Sequence, residues 1–168
     1  DTEFMLGMLR DDGIEITNDE TEADIIIVNT CCFIGDAKEE SVNTILDMAR
    51  YKEEGACKAL IVAGCLAQRY KQEILEEIPE VDAILGTTSY EEISRVVREL
   101  FEASGSDESK RGRQAKGISC FHDLSELPKE SSKRMVTTGG HYAFLKIAEG
   151  CDKRCTYCII PYLRGPYR

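Results

Sequence analysis

Apolar side chains arrive along this chain in two rhythms. Ala23 to Val28, with Ile25, Ile26 and Ile27 in a row, is apolar on successive residues, which suits a strand covered on both faces. Ala59 to Ala63 and Val81 to Leu85 repeat that pattern. Between these runs the spacing changes to i, i+3, i+4, i+7. Val42, Ile45, Leu46 and Ala49 form one such stripe, with Asp36 and Glu39 as a capping box at its start and Gly55 as its stop. Leu66, Tyr70, Ile74 and Ile78 predict a helix ending before Pro79. Ile93, Val96, Val97 and Leu100 predict another, capped by Ser89 and Glu92. Strand and helix alternating three times predict an open parallel α/β sheet. Thr2 to Leu9 reads as a helix with no strand before it, as expected of a domain truncated at its start.

From Ala103 to about Gly140 the periodicity dissolves. Gly105, Ser106, Ser109, Gly112 and Gly117 mix with Lys110, Arg111 and Arg113, which reads as a linker. Tyr142 to Ile147 then alternates as a new strand that stops at Glu149-Gly150. The expected organisation is an α/β domain over 1–102, a linker over 103–140 and the beginning of a second domain over 141–168.

Charge separates the same regions. The 168 residues carry 31 acidic and 21 basic side chains, a net of −10. Residues 1–102 hold 24 acidic against 9 basic, whereas 103–168 hold 7 against 12. An acidic first module is a poor nucleic-acid binder by itself, because phosphate contact is driven by cationic side chains. No apolar run approaches the ~20 residues needed to span a bilayer, and no secretory signal opens the chain. A cytoplasmic protein without a membrane partner is expected.

Eight cysteines are the strongest compositional signal. Small secreted domains use such numbers as disulfide staples, but the long apolar segments here supply a core of their own. Metal or redox chemistry remains, and spacing decides. Cys151, Cys155 and Cys158 form C-x3-C-x2-C directly after the Tyr142–Ile147 run, with Lys153 and Arg154 adding positive charge between them. Three thiols this close can converge on one metal. Three ligands suit an iron–sulfur cubane with one open iron. A closed zinc site completed by Cys120 or His122 is the rival reading, and would make the chain a zinc-stabilised binding module without catalysis. Cys31 and Cys65 follow the first and second buried strands, so a parallel sheet brings both to its carboxyl edge, where doubly wound folds place their ligand sites. They are either ligands or core-filling thiols. Cys32, Cys57 and Cys120 read as ordinary thiols.

The run Glu149-Gly150-Cys151-Asp152-Lys153-Arg154-Cys155-Thr156-Tyr157-Cys158-Ile159-Ile160-Pro161 resembles the cluster loop of radical S-adenosylmethionine (radical SAM) enzymes, and most closely that of the methylthiotransferases. Asn29-Thr30-Cys31 and Gly64-Cys65-Leu66-Ala67-Gln68-Arg69-Tyr70 are similar to the N-terminal domain of the same family. The resemblance implies the first strand and cluster loop of a (β/α) barrel after the linker. It implies a 4Fe–4S cluster on Cys151, Cys155 and Cys158 that binds S-adenosylmethionine, with Tyr157 near the adenine or packed on the barrel rim. It also implies a second 4Fe–4S cluster on Cys31, Cys65 and a third cysteine at the end of a preceding strand, a ligand missing from this chain. A barrel needs at least ~200 residues and ten follow Cys158, so the chain by itself is expected to be inactive.

The reaction implied inserts sulfur at an unactivated C–H bond and delivers it methylated, with electrons from a reductant such as flavodoxin or ferredoxin. Cys31-Cys32-Phe33-Ile34, Ala37-Lys38-Glu39-Glu40-Ser41 and His141 to Gly150 resemble the type acting on an aspartate of ribosomal protein S12, within the small ribosomal subunit. The alternative type acts on a tRNA adenosine, N6-isopentenyladenosine.

Overall fold

The structure, a computed structural model, describes residues 1–104, 117–126 and 134–168. Four strands, β1 (Ile25–Thr30), β2 (Ala59–Gly64), β3 (Val81–Leu85) and β4 (Ile118–Cys120), form one parallel sheet in the order β1-β2-β3-β4. Every residue of β2 and β3 is buried: β2 is apolar throughout, and β3 is apolar except for Asp82, whose carboxylate is paired. Alternate side chains feed two cores. Ile26, Val28, Leu60, Val62 and Ile84 face one layer, formed by α2 (Gly35–Ala49), α4 (Cys65–Tyr70) and α5 (Gln72–Glu77). Ala59, Ile61, Ala63, Ala83 and Leu85 face the other, formed by α1 (Thr2–Asp11) and α6 (Ile93–Ala103). A short α3 (Tyr51–Glu54) closes at Gly55 and sends Lys52 to Asp82, 2.6 Å away. The same carboxylate accepts the Leu60 N–H at 2.8 Å, where the β2–β3 register shifts.

Several sequence expectations are corrected. The helix at 35–49 has Ile34 as its N-cap and no side-chain capping bond, so Asp36 and Glu39 are no capping box. Asp36 instead lies in the first turn, where the helix dipole favours negative charge. The stripe Leu66–Ile78 is two helices, broken at Lys71 by a φ of +42°. Ser89 and Glu92 hold the N-cap positions of a 3-10 turn (Tyr90–Glu92) and of α6 but make no side-chain capping bond, and the Ser89 hydroxyl instead accepts the His122 N–H at 3.0 Å. The span read as linker contains β4, whose Ile118, Ser119 and Cys120 pair with Ala83, Ile84 and Leu85. Three residues are too short for a period to register. Gly105, Ser106, Ser109, Lys110, Arg111, Gly112 and Arg113 lie outside the described residues. Tyr142–Ile147 forms no strand. Its Leu145 and Ile147 are 82% and 86% exposed, and a strand needs a neighbour to take its N–H and C=O groups. Among the described residues, no helix is long and apolar enough to cross a membrane.

Candidate functional site

The β1–β2 register sets the first group of cysteines. Thr30 pairs with Gly64, so Cys31 and Cys65 are the next residues on adjacent strands at the carboxyl edge of the sheet. The strands close up there because Gly64 has no side chain. It sits at φ +97°, ψ −154°, and a Cβ would stand 2.6 Å from the Thr30 carbonyl oxygen. The Thr30 hydroxyl donates to the Ala63 carbonyl at 2.6 Å. Ser41 of α2 clamps Cys31 from the other side: its Oγ accepts the Cys31 N–H at 3.0 Å and donates to the Cys31 carbonyl at 2.9 Å. The Cys31 residue is exposed, while Cys65 is buried.

Cys32 lies in the core beside them. It is 1% exposed, and its Sγ donates to the Cys65 carbonyl at 3.2 Å, linking the two strand ends. Burial pushes the Cys32 thiol up, Cys65 and Cys31 add to the rise, and Arg69 opposes it. The doublet Cys31-Cys32 was the available sequence signal: side chains alternate at a strand end, so one of two neighbours turns inward.

The second group lies on a loop closed at both ends. Glu149 and Arg168 exchange two backbone hydrogen bonds of 2.8 and 2.9 Å, and the Cys151 N–H donates to the Gly165 carbonyl at 3.1 Å. Gly150 at φ +73° permits this approach, since a Cβ there would fall 2.1 Å from the Pro166 carbonyl oxygen. Inside the loop, the Cys158 N–H donates to the Cys155 carbonyl at 3.1 Å. Cys155 is exposed, Cys151 and Cys158 are half-buried, and Tyr157 is 91% exposed. The loop leads into α7 (Ile160–Arg164), with Pro161 in its first turn.

Helix α7 docks the loop against the sheet edge. Leu163 is buried in the same core layer as Cys32, Cys65 and Leu66, and its carbonyl accepts the Thr87 hydroxyl at 2.6 Å. Arg164 donates from Nε to the Cys65 Sγ at 3.2 Å and from Nη1 to Asp1 Oδ2 at 2.7 Å and Glu149 Oε1 at 2.8 Å. Lys146 pairs with the Asp1 and Glu149 carboxylates, and the Tyr90 hydroxyl donates to Asp1 at 3.2 Å. Burial by itself would raise the Glu149 carboxyl, but Lys146 and Arg164 hold it below the usual range. Burial likewise works against the Arg164 cation, and Tyr90, Cys65 and Glu149 hold its pKa above the ordinary value. Burial pushes the Tyr90 phenol up to about 12. A cavity of about 590 Å³ opens beside this network, lined by Thr2, Glu3, Thr87, Tyr90, Phe144 and Lys146 among others.

The sequence-predicted site residues are thus brought to one edge but not onto one point. Among the described residues, no three His, Cys, Asp or Glu side chains are grouped so that they could hold a metal ion. The proposed zinc completers lie elsewhere. Cys120 accepts from Arg95 Nη2 at 3.2 Å in the α1/α6 core, and His122 stands between Glu92 and Glu126 at 3.8 and 3.9 Å. Cys57 is buried and donates to the Ala59 carbonyl at 3.3 Å. The donor chemistry nevertheless fits iron–sulfur groups: three thiols on one loop, two more at the sheet edge, and a cationic N–H already aimed at the Cys65 sulfur.

A family model described as uncharacterized protein family UPF0004 matches residues 1–86, from α1 to the end of β3 and including Cys31 and Cys65. The chain belongs to that family. Over its whole length it is 59% identical to the ribosomal protein uS12 methylthiotransferase RimO of Lachnoclostridium phytofermentans, covering 36% of that protein. The proteins of the same name from Acetivibrio thermocellus and Desulforamulus reducens are 53% and 51% identical, again over all of this chain, which covers 36% and 35% of them. This member of UPF0004 therefore spans about a third of the length of the curated relatives it matches.

Proposed function

We propose that this chain supplies the sheet-edge and loop cysteines of a methylthiotransferase that modifies an aspartate of ribosomal protein S12 by radical S-adenosylmethionine chemistry. One observation carries the reading: α7 packs the three-cysteine loop against the same carboxyl edge that presents Cys31 and Cys65. The names of three relatives at 51–59% identity point the same way. In this reading Cys151, Cys155 and Cys158 hold one 4Fe–4S cluster, and Cys31 and Cys65 contribute to a second. When bound, such clusters supply the reducing electron for cofactor cleavage and a site for the sulfur to be transferred. The protein's own part is arrangement. Gly64 and Ser41 fix the edge thiols, Gly150 and the Glu149–Arg168 pairing fix the mouth of the loop, and the acid–base network of Asp1, Lys146, Glu149 and Arg164 ties the two together. Tyr157, exposed beside Cys158, is available to stack on the adenine of S-adenosylmethionine. The acidic surface of residues 1–102 suits a basic ribosomal-protein substrate better than RNA.

The test uses the full-length enzyme, reconstituted anaerobically with iron and sulfide and reduced by flavodoxin or ferredoxin. Cys151→Ala, Cys155→Ala and Cys158→Ala should each abolish deoxyadenosine formation. Cys31→Ala and Cys65→Ala should keep cofactor cleavage and lose methylthiolated S12 peptide. Cofactor cleavage surviving in all three loop variants would sink the assignment. Mass spectrometry showing methylthiolated tRNA with unchanged S12 would move the substrate to N6-isopentenyladenosine.

A further inference from the structure

Arg164 reaches from the segment that closes the three-cysteine loop to the sheet-edge cysteines. It stands 99 residues from Cys65 in sequence, yet its Nε reaches the Cys65 sulfur at 3.2 Å. Its Nη1 meanwhile binds Glu149 at 2.8 Å, two residues before Cys151. The flanking residues bind other groups of the same two regions. The Leu163 carbonyl is held by Thr87 at 2.6 Å, and the Gly165 carbonyl takes the Cys151 N–H at 3.1 Å. A guanidinium delivers these bonds from one rigid plane, which the single ammonium of lysine cannot do. Asp1 and Glu149 already satisfy its charge, so the Nε directed at sulfur is a feature that charge balance does not require.

We propose that Arg164 is a positioning residue coupling the two cysteine sites: it holds the three-cysteine loop to the sheet edge and donates a hydrogen bond to the sulfur of Cys65. Where that sulfur binds iron, a point that rests on the function proposed above, the bond tunes the bound centre. Hydrogen bonds to ligating sulfur shift a cluster's potential, and partners of this kind are worth about ten- to a hundredfold in metal retention.

The experiment has two arms, both on the full-length protein. In the first, Cys151, Cys155 and Cys158 are all changed to Ala, which isolates any iron at the sheet edge. In that background, Arg164→Gln and Arg164→Lys should lower the reduction potential, alter the electron paramagnetic resonance spectrum and speed iron loss to a chelator about tenfold. Unchanged potential and spectrum in both variants, with iron retained, would overturn the coupling. A Cys65→Ala control that leaves the iron signal intact would instead overturn the reading of Cys65 as a ligand. The second arm needs no metal. In the metal-free protein with all its cysteines, Arg164→Gln should accelerate amide exchange at Cys151 and across 149–158, with Arg164→Lys intermediate. Exchange identical to the parent chain would overturn the proposal whatever the iron does.

Discussion

The two cysteine groups are built in opposite ways. Cys31 and Cys65 grow from the ends of β1 and β2, one a half-covered edge strand and the other buried at every position, and the register of the sheet sets where each begins. Cys151, Cys155 and Cys158 sit on a loop whose two ends are pinned while the middle is exposed. The first group is preorganised by a fold that exists for other reasons. In the second, under the function proposed above, ligation would finish the positioning, because metal binding and local ordering are coupled when a site is not rigid beforehand. A site meant to hold a fixed centre belongs on a sheet edge; one that must admit a cofactor gains from an open loop.

The widest expected gap between the regions is in the cost of removing apolar side chains. Leu60→Ala, in a fully buried strand position on the layer that carries Cys65, should cost about 3 kcal/mol through lost burial and a residual cavity. Leu145→Ala, at an exposed position before the loop, should stay within about 0.5 kcal/mol. Urea unfolding measures both. Equal costs would mean that the segment before the loop is packed and that the contrast between the regions is false.

Two glycines sharpen the contrast next. Both hold positive φ, and at both a Cβ would meet a carbonyl oxygen, Thr30 for Gly64 and Pro166 for Gly150. Gly64→Ala should cost about 2 kcal/mol, because its backbone region is nearly glycine-only and the surrounding core cannot yield. Gly150→Ala meets similar strain but has an escape. The short pairing of 149–151 with 165–168 can open locally, so global stability falls by less than about 1 kcal/mol while the Cys151 amide exchanges faster. Chemical denaturation with residue-level exchange separates the two. A large global loss for Gly150→Ala would place the loop within the cooperative core.

Legibility in the sequence follows the same divide. Three strands and the face of α6 were readable because continuous apolar runs and 3.6-residue stripes are long enough to repeat; on α2, Ile45 and Ala49 are buried as the stripe predicts, but Leu46 is exposed. The sheet-edge position of Cys31 and Cys65 followed from parallel strands alone. What escaped was short or long-range. β4 has three residues; the turn at Lys71 leaves the apolar stripe unbroken; Ser89 serves a partner 33 residues away. Tyr142–Ile147 alternates like a strand, yet alternation specifies only which side chains share a face, not that a partner strand stands beside it. Arg164 was invisible because neither spacing nor composition marks a bond across 99 residues.

A smaller effect is expected at the joint between the regions. The Thr87 hydroxyl is buried and donates to the Leu163 carbonyl at 2.6 Å. Thr87→Val keeps the shape and leaves that carbonyl without its hydroxyl donor, at a cost of about 1 kcal/mol. The loss should appear as faster exchange through Ile160–Arg164 with β2 and β3 unaffected. Faster exchange in β2 as well would show that α7 is part of the sheet's own cooperative unit.

The smallest effect separates the core from a surface strap and is read by pH. Glu3 of α1 accepts the Thr137 N–H at 2.9 Å and hydroxyl at 3.1 Å on Oε1, and Arg134 Nε at 2.7 Å on Oε2. The Thr137 amide and then Arg134 hold its carboxyl down, from 4.5 to about 2. A depressed folded value means that the folded state binds fewer protons than the unfolded one between those limits, so the tie is whole above about pH 5 and weakens as pH falls through 4.5 toward 2. The bonds lie near the surface, where salt screens them, and the consequence should be local. Amide resonances of Met135 and Thr137, the first of which donates to the Glu3 carbonyl at 2.9 Å, should move over that acidic window while those of β2 stay still. In Glu3→Gln the movement should vanish, because no carboxylate remains to protonate. A Thr137 amide that titrates the same way in Glu3→Gln would assign the acid sensitivity to another group and release the strap from α1.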